Sequence, residues 1–431
     1  MNATADLLAF AGANHVLPEQ VRADALRLLA DTLAVGAAGA GAPGADAILA
    51  AARAMGSGAE ARLIGSAQSG GERLPAPAAA FVNGYRIHCL EWDAVHEPAV
   101  VHALSTVTAA LGAAIDRHGR CDAEAALTAL AVGVDVAAGL GLAADSPLTF
   151  FRPATAGVVG AALAVARIDG APLDDTLGLA VSSAGGTMQA HVEGLATLPF
   201  QIANAARAAV TASDLARAGF PGPKDPLDGP FGYFRLFDSG DLTRYTRDLG
   251  KVWRISEVSV KPCPSGRASH ALLGAIFDLG LRAQDVQVLE IFVPPLVHRL
   301  IGRPFRADMT PAYARLCGPL LAALALRDGL IDPRCFTPDA FADLALAELA
   351  GRITIQTDDN PDPNALSPQR MVVHGTDGRK DTHIPHTLGS PESPLSPAQA
   401  EAKLNLARDL APVEHDPRLF ADPLAYFTGT P

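Results

Sequence analysis

A chain of 431 residues that is 49% apolar and only 19% charged has material for two or three domains with large cores, and its composition excludes a disordered protein. The net charge of -12 disfavours nonspecific binding to nucleic acid or an anionic membrane, and it makes any local cluster of cations informative. Five cysteines (Cys89, Cys121, Cys263, Cys317, Cys335) without a CxxC pair exclude a disulfide framework or a zinc ribbon and point to a reducing cytoplasm.

The first residues lack the basic start and apolar run of a signal peptide, and the longest apolar stretches are interrupted by charges such as Glu124 and Asp135, so no membrane span is expected. Apolar spacing of three and four predicts helices over the first ~250 residues. Examples are Pro18 to about Ala34, with Leu26, Leu29 and Leu33 on one face, then Val100 to Ile115, then Ala203 to Ala218. The Pro/Gly/Asp-rich stretch from Pro221 to Gly232 reads as an exposed surface loop. From Trp253 the texture changes. Trp253–Val260, Val286–Val293, Arg352–Thr357 and the pair Arg370–His374 and Lys380–Ile384 around Asp377-Gly378 read as strands, the last two as a hairpin. Helices are expected between them at Ser265–Leu281, Ala312–Arg327 and Pro338–Leu349. Ser396-Pro397-Ala398-Gln399 carries a capping residue, a first-turn proline and a Gln at the third position, opening a helix through Leu410. The expected architecture is mainly α: a large all-helical domain (1–264 and 396–431) and a smaller α+β domain (265–395).

Gly39-Ala-Gly41-Ala-Pro-Gly44 satisfies the GxGxxG pattern, but dinucleotide binding needs a strand before the first glycine and here a long helix precedes it. The reading is a helix–helix connection, with no nucleotide cofactor expected. The segment Asn83 to His102 packs three of the twelve histidines together with Glu91, Asp93 and Glu97 just ahead of an apolar helix. It reads either as an acid–base set at the mouth of a helix or as a loop of solvated histidines. A metal reading would use His88, Asp93, His96 and His102, but the spacing is no recognised metal pattern and no metal is expected. The second segment, Lys261-Pro-Cys-Pro-Ser265-Gly-Arg267-Ala-Ser269-His270, passes from a strand into a helix that Ser265 could cap. Free N–H groups there, with Lys261, Arg267 and His270 nearby, make it the best candidate for holding a carboxylate; ordinary capping and an ion pair are the bland reading.

These two segments, in this order, resemble the MmgE/PrpD family. The first is similar to its run of Asn-Gly, His, Leu-Asp-Phe-Asp-Asp-Thr-His and a helix-opening His, matched by Asn83-Gly84, His88, Leu90, Asp93, His96 and His102. The second is similar to Lys-Pro-Tyr-Pro…Arg…His, matched by Lys261, Pro262, Pro264, Arg267 and His270. Further echoes are Asp31 to Gly36, Leu215 to Phe220, Leu227 to Phe234, Ser396 and Lys403, so the resemblance spans nearly the whole chain. It implies a helical domain joined to an α+β domain, a homodimer, and a site between the domains that uses neither metal nor nucleotide. It also implies a lyase acting on a small di- or tricarboxylate by proton abstraction next to a carboxylate; an epimerase of an amino-dicarboxylate and a catalytically silent metabolite-binding homologue are the alternatives. Carried over on the matching positions, Asp93, His102, Lys261 and His270 are the expected catalytic residues. Arg267, His96, His88, Arg152, Ser269 and Gln201 are the expected substrate-binding ones.

The sequence also departs from the family. Asp-Asp-Thr-His reads Asp93-Ala94-Val95-His96, Lys-Pro-Phe-His reads Leu198-Pro199-Phe200-Gln201, Arg152 stands where a His precedes the Thr-Ala-Gly helix, and Leu320 stands for a Tyr. A leucine in place of a lysine removes a charge-assisted donor, which implies a substrate smaller in charge or turned in the pocket.

Overall fold

The computed structural model describes residues 3–362, 364–375 and 378–429. Its first core is built by the helices Glu19–Ala38, Ala76–His88, Ala103–Arg117, Ala123–Ala143, Arg152–Asp169 and Thr197–Arg217. The Ala/Gly-rich sequence is what lets them close on one another. A Cβ added to Gly133 would lie 2.8 Å from the Ala164 methyl, and one added to Gly160 would lie 2.8 Å from that of Ala137. Ala123–Ala143 is long and apolar enough to cross a membrane, yet 89% of its most apolar window is buried inside the protein. Its mid-helix Asp135 is buried and accepts from the Tyr245 hydroxyl (2.7 Å) and the Arg254 amide (2.8 Å), which anchors the end of this half of the chain.

The second core surrounds a four-stranded sheet with the spatial order Ile353–Thr357, Val288–Val293, Gln369–Gly375, Gly378–Ile384. The first pair is parallel and the other two are antiparallel, with Ile291 opposite Ile355 on one side and Met371 on the other. Strand alternation sends Leu289, Ile291 and Val293 into the core against the helices His270–Asp278 and Gly318–Asp328. The predicted hairpin is present, with Gly375 opposite Gly378; Asp377 of its turn lies outside the described residues. The last helix, Pro397–Leu410, has the expected capping box between Ser396 and Gln399. It lies against Glu19–Ala38, where Ala407 joins Ala34, Val35 and Trp92 in a small third cluster, and Leu419, Tyr426 and Phe427 beyond it enter the first core.

Several expected elements are cut shorter. Trp253–Val260 is a turn of 3-10 helix, Arg254–Glu257, followed by a two-residue strand, because the Arg254 amide is taken by Asp135 instead of a neighbouring strand. The helix expected from Ser265 starts at His270, after the 3-10 turn Arg267–Ser269, and Ser265 does not cap it. Ala312–Arg327 breaks into Pro311–Ala314 and Gly318–Asp328, and Pro338–Leu349 into Pro338–Phe341 and Leu344–Gly351. The 221–232 loop is pinned by Leu227, which is fully buried in the first core. Gly39–Gly41 is a 3-10 turn between two helices, as the reading of that glycine pattern required.

One small element positions the site. Val95–His96 pairs antiparallel with Val258–Ser259, Val95 opposite Ser259 and His96 opposite Val258. That two-residue ladder lays the histidine-rich run directly beside the lysine-bearing turn that leads to the second core.

Candidate active site

The helix Ala76–His88 delivers His88 at its last turn, and the chain then reverses sharply at Glu91, whose φ is +53°. Val100, on the other side of the same loop, has φ +53° as well. Left-handed backbone is uncommon for a non-glycine residue and an outlier for a β-branched one, and such strain concentrates at functional sites. Trp92 is fully buried between these turns, its indole N–H donating to the Pro262 carbonyl (3.2 Å), and this ties the loop to the Lys261 turn. Asp93 follows, with no exposed surface.

Asp93 Oδ2 is the hub. It meets His88 Nδ1 at 2.9 Å and His102 Nδ1 at 3.0 Å, and the Ser105 hydroxyl donates to it as well. The Lys261 ammonium stands 3.9 Å from the other oxygen and donates to Glu91 at both the carbonyl (3.1 Å) and Oε2 (3.0 Å). His88 Nε2 faces Glu91 Oε1 at 3.6 Å, and the two imidazoles lie edge to face at 4.8 Å. Burial of this many ionisable groups is tolerated only when the charges are matched, and here they balance. Burial works against the Glu91 charge, yet Lys261 with His88 and His102 holds its pKa at about 2. Burial pushes Asp93 up as well, but the two histidines beside it bring it well below the usual carboxylate range. His88, buried between two carboxylates, is raised despite its desolvation because Asp93 and Glu91 outweigh that cost. His102 goes the other way: burial, aided by Lys261, lowers it in spite of Asp93. Two carboxylates, Lys261 and a His88 whose protonated form is favoured thus surround His102, whose neutral form is favoured. Its Nδ1–H is directed onto Asp93, and Nε2 has no partner among the described residues.

His102 faces a small cavity of about 70 Å³ walled by Val100, Phe151, Met188, Leu198 and Leu316. It adjoins a larger one of about 260 Å³, the two sharing His88, Glu91, Leu198 and Leu316. The walls are apolar and the chemistry is concentrated on one side, the arrangement expected of a small-molecule site. His88, Asp93 and His102 are also a set that could hold a metal ion, one ligand atom from each lying within 4.8 Å of the others. The fit is poor, because both imidazole Nδ1 atoms are turned onto the same Asp93 oxygen and Lys261 already brings positive charge to the other.

Of the residues expected from sequence, Asp93, His102, His88 and Lys261 come together in this cluster. The others are held elsewhere. His96 bonds to Glu257 Oε2 (3.0 Å) and accepts from the Ala99 amide, sharing no partner with Asp93. Arg152 is buried in full engagement with Asp238 (3.0 and 3.2 Å) and with the carbonyls of Ala99 and Ser146; its neighbour Phe151 faces the cavity instead. Arg267 reaches the cavity wall, but its guanidinium is spent on Glu97 (2.6 Å) and the carbonyls of Leu388 and Thr387. His270 is buried beneath the turn, its nitrogens against the carbonyls of Arg267 (3.2 Å) and Cys263 (3.1 Å), and burial together with Arg267 and Lys261 holds its pKa well below the ordinary histidine value. Ser269 bonds to Ser265 and Gly266, and both ends of the Gln201 amide clamp the backbone of Thr187. Leu320 lies fully buried in the second core, and Leu316, one turn earlier, is the cavity residue.

Glu91, Ser105 and Arg315 join the site without having been singled out. Glu91 had a signal, since it occupies the first acid of the Leu-Asp-Phe-Asp run; Ser105 sits one turn after His102. Arg315 had a signal too, since Ala314-Arg315 opens the run that ends at Leu320, where the family has its Tyr.

A helical body is joined to a sheet-bearing second core, and the charge cluster around His102 beside the cavities is an arrangement able to do acid–base chemistry. The chain matches the MmgE/PrpD N-terminal domain over residues 8–245 and the MmgE/PrpD C-terminal domain over residues 264–416, and it belongs to the MmgE/PrpD family. Among its relatives is the human cis-aconitate decarboxylase, 30% identical over 352 residues that cover 77% of this chain and 72% of the relative. The mouse cis-aconitate decarboxylase is 28% identical, with 67% of this chain and 62% of the relative covered. A cis-aconitate decarboxylase-like protein of Aspergillus oryzae is 27% identical, with 70% and 69% covered.

Proposed function

We propose that the protein is a lyase acting on a small di- or tricarboxylate, with His102 moving the proton at a carbon next to a carboxylate. The observation that carries this is the neutral His102 whose Nδ1–H is fixed by the ionised Asp93, leaving Nε2 as a lone-pair base toward the cavity. Asp93 selects that tautomer and stabilises the imidazolium that forms when the proton is taken, as an orienting carboxylate does for a catalytic histidine. His88, whose protonated form Asp93 and Glu91 favour, lines the same cavity and would offset negative charge that develops on the substrate. Elimination follows when a leaving group departs from the adjacent carbon as the C–H electrons form the double bond. Decarboxylation is the second reading, favoured by the activity named for the relatives: the carboxylate leaves as carbon dioxide, its C–C electrons stay on the substrate as a carbanion, and a proton taken from solvent is delivered to that carbanion through His102.

Chelator-treated enzyme is incubated in D2O with di- and tricarboxylates, including cis-aconitate, and followed by proton NMR. Turnover or solvent deuterium at a substrate carbon, lost in His102→Gln, is the expected result, and the product separates elimination from decarboxylation. A wild-type enzyme that neither exchanges nor converts any of them, or a His102→Gln variant as active as wild type, would sink this reading.

A further inference from the structure

The larger cavity contains a group that the acid–base cluster does not use. Arg315 lines it, and only 4% of the residue is exposed. Among the described residues its guanidinium makes no hydrogen bond and no ion pair; Nε is buried without a partner, and the head lies 4.9 Å over the Phe336 ring. A buried cation of this kind is costly to keep unless something completes it, and a guanidinium is completed best by a carboxylate held through two parallel hydrogen bonds. The nearest acid in the cleft, Glu91, is already bound to Lys261 and faces His88. Every other charged group lining the two cavities is paired as well: Arg267 with Glu97, and His88 with Asp93. Leu195, Leu198 and Leu316 line the larger cavity with Arg315, and the last two also line the smaller one with His102. The cleft therefore offers one strong anion partner at one end, a base at the other, and a hydrocarbon surface alongside.

We infer that Arg315 anchors a substrate carboxylate, and that the substrate this pocket selects is a dicarboxylate with an alkyl arm lying on Leu195, Leu198 and Leu316. The inference rests on the lyase reading for the direction of the reacting carbon but not for the binding itself. Leu198 is the complement of Arg315. A second cation on that wall would favour another carboxylate, and a leucine favours carbon.

The test is calorimetric binding to the His102→Gln variant, in which turnover does not interfere, with maleate, 2-propylmaleate and cis-aconitate as probes. The propyl arm is expected to tighten binding at least 10-fold over maleate. Arg315→Gln is expected to weaken both at least 30-fold and Arg315→Lys, which keeps the charge but loses the fork, by a smaller factor, each with a thermal melt showing a folded protein. Equal affinities for maleate and 2-propylmaleate, an Arg315→Gln variant that binds like its parent, or no binding by any probe would overturn the inference. Should the Arg315 variants not fold, Leu198→Lys decides: it is expected to shift the ratio of cis-aconitate to 2-propylmaleate affinity at least 10-fold toward cis-aconitate, and an unchanged ratio overturns the proposal. Arg315-dependent binding in a wild-type background that neither exchanges deuterium nor turns over would leave the anchor standing and the lyase reading failed.

Discussion

Three donors converge on a single oxygen of Asp93, from His88, His102 and Ser105, and this sets the basicity of the histidine that faces the cavity. His102→Gln removes the base while keeping a donor to Asp93, and kcat is expected to fall by roughly 10²–10⁴-fold, the usual contribution of general acid–base catalysis. The groups around His102 are Asp93, His88, Lys261 and Glu91; burial, aided by Lys261 and His88, lowers its pKa against the pull of Asp93. Since the base works only when neutral, kcat/KM should hold steady through the ordinary histidine range and decline only as the pH drops through the depressed value. Ser105→Ala leaves Asp93 with one donor fewer and a stronger pull on the imidazole proton. It should move that acidic limb to higher pH in a pH–rate profile; an unmoved limb would mean that Ser105 only fills space. Which segments form the cluster was readable as the runs Asn83–His102 and Lys261–His270. Where each side chain points was not. His96 and Asp93 are three residues apart, yet one bonds to Glu257 and the other to His102, because the turns at Glu91 and Val100 set the direction of each.

Helices in the first domain meet through missing side chains, and the last helix docks through a buried ion pair. At Gly160 an added methyl would meet the Ala137 amide nitrogen at 2.9 Å and the Gly133 backbone, neither of which can rotate away. Gly160→Ala should therefore cost about 1–3 kcal/mol, the usual penalty of overpacking. Gly41→Ala, where nothing lies within 4 Å, should stay within about 0.5 kcal/mol in the same urea titration. Lys403, 4% exposed, pairs with Asp31 at 2.6 Å and donates to the Trp92 carbonyl, linking the last helix to the loop that carries Asp93. Lys403→Met should cost about 3–5 kcal/mol, because it strands the Asp31 carboxylate in the interior; adding Asp31→Asn should return much of that loss. A double variant no more stable than Lys403→Met alone would refute the pairing argument. The capping box at Ser396 was visible because it is local, whereas the break between Pro311–Ala314 and Gly318–Asp328 was not, because apolar spacing continues through it.

Across the whole molecule, two buried histidines are held neutral. Burial, with Arg303 beside it, brings His191 down to about 4, and His270 lies well below the ordinary value. Both titrate lower in the folded chain than in the unfolded one, so the unfolded chain takes up protons first as the solution is acidified. Their contribution to stability is complete above about pH 6.5 and is lost as the pH falls toward 4. For His191 the full shift from 6.5 to about 4 corresponds to about 3 kcal/mol. Urea unfolding at pH 7.5 and 4.5 checks this, since His191→Gln should lose less stability than wild type over that interval; equal losses would refute it.

The helical first half, the later strands, the hairpin and the two motif runs were legible in the residues. Such features depend on burial repeated every two, three or four positions, a property of the local chain. The site needed the fold. Lys261 and Glu91 are 170 positions apart and meet because a two-residue ladder aligns Val95–His96 with Val258–Ser259. Arg152 and Arg267 look the same in sequence as Arg315, and packing alone supplied acids to the first two and left the third facing a cavity. Residue type fixes what a side chain can do, but its partner is set by which distant segments close around it, and no local periodicity encodes that.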